Sequence, residues 1–209
     1  MSLLFDLRQR WLRRIAPTLQ ARLARLLYAG PNISIGEAFK CDGIPRCLVD
    51  QSAQIKIGKN VEFREGVEIR AHNSARIVID DDVRIDRGVR ILAANDSEVR
   101  VSTGARIGLY SVLNGGASIH VGHKCLISGF VYLQTSMHRT ADSDSAIRDQ
   151  GYEHGAVQIS DGAWLGAHVV IMPGVSVGHG AVVGSNAVVT RDVAAGLVVA
   201  GVPARPLHD

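Results

Sequence analysis

Apolar residues recur at every sixth position through most of this chain, a spacing that neither an α-helix nor an alternating strand produces. One run contains Ile57, Phe63 and Ile69, and the same run restarts 22 residues later at Ile79. The interval between runs shortens to 20 and then to 18 residues, and the 18-residue interval begins at Ile159. A fixed internal period is typical of repeat proteins, in which each unit buries its apolar face only against its neighbours.

The six-residue spacing predicts a solenoid with three short, straight sides per turn. Every sixth side chain then points to the axis, small residues fit the corners, and the sides of successive turns pair as parallel strands. Glycine often follows the axial residue, as at Gly58, Gly108 and Gly166, where the backbone must bend sharply. The pattern therefore predicts an all-β fold, a parallel β-helix over residues 31–209.

The longer repeat units carry four extra residues on their third side. Turn-forming pairs stand there, at Asn73-Ser74 and Asn95-Asp96. We expect these four-residue bulges to form a ridge along one edge of the solenoid. One longer interruption, at about residues 136–156, predicts a loop inserted into the same domain.

Residues 1–30 lie outside the repeat and predict an amphipathic helical segment. Its apolar residues fall at helical spacing, with Pro17 expected to break or kink the helix: Leu4, Leu7, Trp11, Leu12, Ile15, Leu19, Leu23, Leu26 and Leu27. Its polar residues are mostly arginines, and Asp6 is the only acid. Two interpretations stay open: the apolar face caps the first turn of the solenoid, or residues 1–29 contact an anionic membrane surface.

The composition fits one solenoid with a small appendage. The chain has 209 residues and a net charge of +3, without a basic groove interleaved with aromatics, so nucleic acid is not an expected partner. The three cysteines form no CxxC pair and occupy axial or corner positions, which favours buried thiols in a reducing compartment. There is no 18-residue apolar run, and arginines interrupt the first apolar stretch where a signal peptide needs continuity. We expect a cytoplasmic protein, at the inner face of the cytoplasmic membrane if the helix binds there.

Two stretches of the repeat resemble a known superfamily. The segment Ile159–Arg205 reads ISDGAWLGAHVVIMPGVSVGHGAVVGSNAVVTRDVAAGLVVAGVPAR, and Val121–His138 reads VGHKCLISGFVYLQTSMH. Both are similar to the hexapeptide-repeat acyltransferases, and the loop HRTADSDSAIRDQGYEHG resembles the branch that acetylates surface polysaccharides. The resemblance implies a left-handed β-helix, a homotrimer, acetyl-CoA as co-substrate and a sugar acceptor.

The same resemblance implies that His138 is the catalytic base, because it stands at the spacing at which the superfamily places its histidine. A neutral imidazole can take the proton from a sugar hydroxyl near neutral pH. His154 is a second candidate at the site, and a solvated turn residue is the alternative for it. Galactoside-type relatives carry Asn and Asp where this chain has Gly108 and Gly116, so Asn114 is the nearest polar substitute for contacting the acceptor.

The resemblance also implies a set of coenzyme A contacts. Trp164 matches a residue that lines the cofactor groove, small residues match positions beside the pantetheine arm, and a Thr-Arg pair and one further arginine match the nucleotide end. In order along the chain these are Trp164, Ala167, Ser185, Thr190, Arg191 and Arg205.

The function expected from the sequence is acetyl transfer from acetyl-CoA to a sugar hydroxyl in lipopolysaccharide O-antigen, capsule or exopolysaccharide synthesis. A sugar N-acyltransferase and a non-catalytic β-helix scaffold are the alternatives. The β-helix also carries zinc carbonic anhydrases, but a zinc site of that kind needs three imidazoles. Ser128 stands where a second histidine would follow His123, so no metal is expected.

Overall fold

Each turn of the chain contributes one short strand to each of three parallel sheets. The computed structural model describes residues 3–207, which form a left-handed β-helix of about seven turns preceded by two short helices. We call the three sheets the first, second and third faces, in the order in which the chain visits them, and each edge is named by the two faces that it joins. The predicted fold class is confirmed.

The strands of the first face are Ile33–Ile35, Gln54–Ile57, Arg76–Ile79, Glu98–Val101, Ile119–Val121, Val157–Ile159 and Ser176–Val177. Those of the second face are Lys40–Cys41, Glu62–Phe63, Arg84–Ile85, Arg106–Ile107, Leu126–Ile127, Trp164–Leu165, Val182–Val183 and Val198–Ala200, with Arg205–Pro206 antiparallel at its end. Those of the third face are Arg46–Val49, Glu68–Ala71, Arg90–Ala93, Val112–Gly115, Tyr132–Gln134, Val170–Ile171 and Val188–Val189.

The axial residues stack in register and form one continuous apolar core. On the first face Ile57 pairs with Ile79, which pairs with Val101, and all three are buried. Phe63 and Ile69 occupy the corresponding positions on the other two faces and are fully buried. Removing one such side chain from water stabilises the fold by roughly 1.5–3 kcal/mol, and each axial residue of the stack adds a contribution of this kind.

The four extra residues of the 22-residue turns do not form the predicted bulge, because they belong to the strands. They lengthen two strands by two residues each, as in Glu68–Ala71 and Arg76–Ile79, whereas an 18-residue turn has Val170–Ile171 and Ser176–Val177. The turn itself stays tight, with Asn73 in the left-handed region at φ 56°. The prism is therefore wider in its first turns, and it narrows after Gln134.

The N-terminal segment consists of α1 (Leu3–Arg10), a π-helical turn (Trp11–Ile15) and α2 (Ala16–Leu27). These follow one another without a gap, and Pro17 lies in the first turn of α2. No helix among the described residues is long and apolar enough to cross a membrane.

The segment α2 covers the first turn of the solenoid through small residues. Ala21 and Ala24 are buried, and α2 packs on the strand Lys40–Cys41. The hydroxyl of Tyr28 anchors the end of the helix, since it donates to the carbonyl of Pro45 at 2.8 Å. The large apolar side chains stay exposed, so α2 covers the first turn only with the side on which its residues are small.

Candidate functional site

The insertion in the repeat is an arm that leaves the third–first edge as a β-hairpin. Its strands are Ser136–His138 and Tyr152–His154, which pair antiparallel, and a short 3₁₀ helix, Ile147–Asp149, lies between them. The arm begins directly after the last of the longer third-face strands, where the prism narrows. The arm therefore lies where the wider turns of the solenoid meet the narrower ones.

Thr135 fixes the base of the arm. This fully buried residue donates from its hydroxyl to the carbonyl of Asn114 at 2.6 Å and accepts from the N–H of Ala117 at 3.0 Å. Its own carbonyl accepts from the N–H of Gly155 at 2.9 Å. Both ends of the arm are thereby tied to the turn below them.

His138 and Tyr152 form one cross-strand pair of the arm, and Ser136 and His154 form the next. Residues two apart in a strand lie on the same side of a hairpin, so these four side chains share one face. The rings of His138 and Tyr152 are 4.3 Å apart between centroids, and those of Tyr152 and His154 are 6.1 Å apart. A hydrogen bond of 2.9 Å joins the Ser136 hydroxyl to Nδ1 of His154. We call these four residues the polar cluster.

Both histidines of the polar cluster are exposed, and they project from a defined scaffold. His154 lies in the second strand of the hairpin, and the Ser136 hydroxyl is its hydrogen-bond partner. Ser136 and Tyr152 were not singled out in the sequence. The alternation in Ser-Met-His and Tyr-Glu-His is the signal that could have indicated a hairpin with its polar residues on one side.

The two glycines at the galactoside-type positions are required by close contacts. A Cβ atom on Gly116 would collide with the Ser136 hydroxyl and lie 3.2 Å from Nδ1 of His154. A Cβ atom on Gly108 would lie 2.5 Å from the backbone carbonyl carbon of Ser128. The absence of a side chain at Gly116 therefore makes room for the polar cluster.

Asn114 lies on the third face, one turn below the base of the arm. Its side-chain amide donates to the hydroxyl of Tyr132 at 3.1 Å, and the residue is half-buried. Its neighbour in register, Gln134, donates to the carbonyl of Ser136 at 2.8 Å. Asn114 thus borders the arm and supports it through its backbone, and it is not part of the polar cluster.

The outer part of the arm is held by its own side chains. Gln150 donates to the carbonyls of Asp142 and Ser145 at 2.7 and 2.9 Å, and the Ser145 hydroxyl donates to the Asp142 carboxylate at 2.6 Å. That hydrogen bond, followed by one from the N–H of Asp144, lowers the pKa of Asp142. These hydrogen bonds hold the outer part of the arm in a defined conformation.

The predicted coenzyme A residues occupy two regions of the prism. Trp164 is half-exposed on the second face, where its indole N–H donates to the Ser128 hydroxyl at 3.3 Å. Ala167 and Ser185 lie on successive turns of the second–third edge, and the N–H of Asn186 donates to the Ala167 carbonyl at 2.8 Å. Arg205 is exposed beside the last second-face strand.

Thr190 and Arg191 lie elsewhere, on the third–first edge that also carries the arm. They follow the strand Val188–Val189 and precede Val193, which bridges back to the first face. Both are exposed. The structure therefore places these two residues on the same edge as His138, and Trp164, Ala167, Ser185 and Arg205 around the second face.

An aromatic row runs along the second–third edge towards Ala167. Tyr110, Phe130 and His168 stack in succession, with ring centroids 5.5 and 4.8 Å apart. All three have positive φ, between 54° and 60°, a region that bulky residues rarely adopt. The six-residue pattern did not indicate this row, since it marks only the inward positions.

Within one subunit the candidate residues do not form a single cleft. In a three-sided prism the third–first edge lies opposite the second face, so His138 and Trp164 point away from each other. Among residues 3–207, no group of three or more His, Cys, Asp or Glu side chains is placed to hold a metal ion. The chemistry available to the polar cluster is that of imidazole, hydroxyl and phenol groups.

Comparison with known proteins finds similar proteins among the hexapeptide-repeat transferases. The family described as bacterial transferase hexapeptide (six repeats) matches residues 156–191. A probable acetyltransferase of Mycobacterium tuberculosis is 27% identical over 185 residues, which are 88% of this chain and 54% of that protein. The galactoside O-acetyltransferase of Escherichia coli is 32% identical over 93 residues, which are 44% of each chain. Over these stretches the chain is similar to the hexapeptide-repeat acyltransferases.

A solved structure supports the fold assignment. The N-acyltransferase AntD from Bacillus cereus, solved with dTDP and 3-hydroxybutyryl-CoA, has a TM-score of 0.58 and 22% sequence identity. The match covers 72% of this chain and 80% of AntD. The chain spans about half the length of the curated relatives that it matches.

Proposed function

We propose that this protein is an acyl-CoA-dependent O-acetyltransferase that modifies a sugar hydroxyl of a cell-surface polysaccharide or its precursor, in the cytoplasm. The polar cluster is the observation that supports this most directly. It presents an imidazole, His138, on a hairpin whose base is fixed by buried hydrogen bonds. The solved relative with a bound acyl-CoA supports the same class of reaction.

His138 acts as general base in this proposal. Acetyl-CoA supplies the acetyl group as a thioester. His138 accepts the proton of the acceptor hydroxyl while that oxygen forms the new C–O bond, and it passes the proton to the sulfur as the C–S bond breaks. Ser136 orients the His154 ring beside His138 through its hydrogen bond. His154 and Asn114 contact the acceptor sugar. No side chain of the polar cluster needs to form a covalent intermediate.

The active unit is a homotrimer in which each site lies between two subunits. His138 and Trp164 occupy opposite sides of one prism, so a second copy must supply one of them. Trp164, Ala167 and Ser185 line the thioester arm of the cofactor, and Arg205 and the Thr190–Arg191 pair bind its nucleotide end. The exposed guanidinium groups fit this role, since arginine binds phosphate in a bidentate manner.

The test separates cofactor binding from the proton-transfer step. We expect calorimetry to detect about one coenzyme A site per subunit, as the two-subunit site implies. Arg191→Ala should weaken binding about tenfold or more, because charged hydrogen bonds are lost. Arg76→Ala, which removes an exposed charge from the first face, is the matched control.

His138→Ala should lower kcat by about 10²-fold to 10⁴-fold with sugar acceptors and leave coenzyme A binding unchanged. His179→Ala, at another exposed histidine, should not change kcat. Wild-type turnover in His138→Ala contradicts the role of the base, and an absence of coenzyme A binding favours the scaffold alternative. Faster transfer to an amino sugar than to a hydroxyl acceptor favours the N-acyltransferase alternative.

A further inference from the structure

The N-terminal segment exposes one continuous row of large apolar side chains. The exposed fraction is 44% or more for each of them, and reaches 78% at Leu4: Leu4, Phe5, Leu7, Trp11, Leu12, Ile15, Leu19, Leu23, Leu26 and Leu27. We call this set the apolar row. A monomeric surface rarely exposes so many contiguous apolar groups without a partner.

In α2 the apolar row faces away from the solenoid, whereas Leu12 borders a cleft against Lys40 and Asp42. The buried residues of α2 are Pro17, Ala21 and Ala24, which lie on the opposite side of the helix, against the first turn. Trp11, Ile15, Leu19 and Leu23 are spaced by four, and such a row drifts around a regular helix of 3.6 residues per turn. The wider π-helical turn at Trp11–Ile15 counters this drift and keeps the row on one side.

Cationic side chains accompany the apolar row. Arg8, Arg10 and Arg22 are exposed, and Asp6 is the only acid in residues 1–29. None of the ion pairs among the described side chains involves an arginine of this segment. Arg25 is different, because it donates to the carbonyl of Gly36 and so ties the helix to the solenoid.

We infer that this segment docks the protein on the surface of an anionic bilayer, with the apolar row in the acyl boundary and the arginines among the headgroups. The apolar side chains fit the acyl region of such a bilayer, and the arginines without ion-pair partners fit its anionic headgroups. A second copy of the same segment offers less charge complementarity than an anionic surface, because the segment has several arginines and Asp6 is its only acid. Ala21 and Ala24 pack against the solenoid and use the other side of the helix. The helix can therefore keep the core covered while the apolar row inserts into the bilayer.

The experiment uses the full chain and vesicles of two compositions. Wild-type protein should sediment with phosphatidylglycerol–phosphatidylcholine vesicles and not with phosphatidylcholine alone, and added salt should weaken the binding. In a Trp164→Phe background Trp11 is the remaining tryptophan, and its emission should shift to the blue on binding. Absence of sedimentation, or binding that ignores headgroup charge, overturns the inference.

Matched variants locate the surface. Leu19→Gln with Leu23→Gln should reduce vesicle binding at least tenfold, because both side chains belong to the apolar row. Leu48→Gln with Leu109→Gln alters two similarly exposed leucines of the solenoid and should leave binding unchanged. Equal binding by both double variants overturns the assignment. If the first double variant instead lowers the oligomeric mass in light scattering and wild-type protein ignores vesicles, the row is a contact between copies.

Discussion

His138 and Tyr152 face each other across the two strands of the arm, with ring centroids 4.3 Å apart and ring planes inclined by 37°. The phenol ring packs against one side of the His138 imidazole and limits its rotation. The two residues are fourteen positions apart in the sequence. They meet because the arm folds into a hairpin that pairs Ser136–His138 with Tyr152–His154.

Tyr152 is therefore a positioning residue for the proposed base. Tyr152→Ala should lower kcat about tenfold, since a freely rotating imidazole spends less time in the reactive orientation. Tyr152→Phe keeps the ring and should restore kcat nearly to that of the wild type. The coenzyme A dissociation constant should stay the same in both variants, because the half-exposed ring is not a cofactor residue. Unchanged kcat in Tyr152→Ala removes the positioning role.

Hybrid trimers test whether each site uses two subunits. His138→Ala and Trp164→Ala subunits should each be inactive alone, and mixed assembly at equal amounts should recover about a quarter of the wild-type sites, because each interface combines two independently chosen subunits. Activity is read after co-expression with two different affinity tags. If both residues served within one subunit, the mixture would stay inactive.

Thr135 should stabilise both the arm and the solenoid beneath it. Thr135→Val keeps the shape but removes the hydroxyl, which leaves the Asn114 carbonyl and the Ala117 N–H without this partner. The cost should be about 1–3 kcal/mol in the free energy of unfolding, measured with urea. Thr140→Val, at an exposed position of the arm, is the control and should change stability little. Equal effects of the two changes would contradict the buried role.

Cys47 should make stability fall at alkaline pH. Burial raises the pKa of its thiol to about 12 from its ordinary value of 9.0. The fold therefore favours the neutral thiol: its contribution is complete below pH 9, and it is lost as the pH rises towards 12, because the unfolded chain releases the proton first. Between pH 8 and 11 the free energy of unfolding should decline more steeply for wild type than for Cys47→Ala. Parallel curves would show that this thiol does not contribute.

The six-residue period was sufficient to predict the β-helix. An axial residue such as Ile57 or Leu165 has to be buried wherever the turn stacks, and both are buried. The candidate base His138 came from the resemblance to the acyltransferases, and its place at the start of the inserted loop agrees with that hypothesis. Periodicity fixes the direction of each side chain relative to its own strand, which is a local property.

Tertiary structure decided which residues meet. The amphipathic pattern grouped Leu19 and Leu23 on one side of the helix, but only packing showed that the opposite side, with Ala21 and Ala24, contacts the solenoid. Pairing across the arm brought Tyr152 to His138, and the winding of the prism set Trp164 on the far side. Such contacts depend on the distance of close approach and on register between distant segments, whereas the fold follows from a repeat that each turn carries within itself.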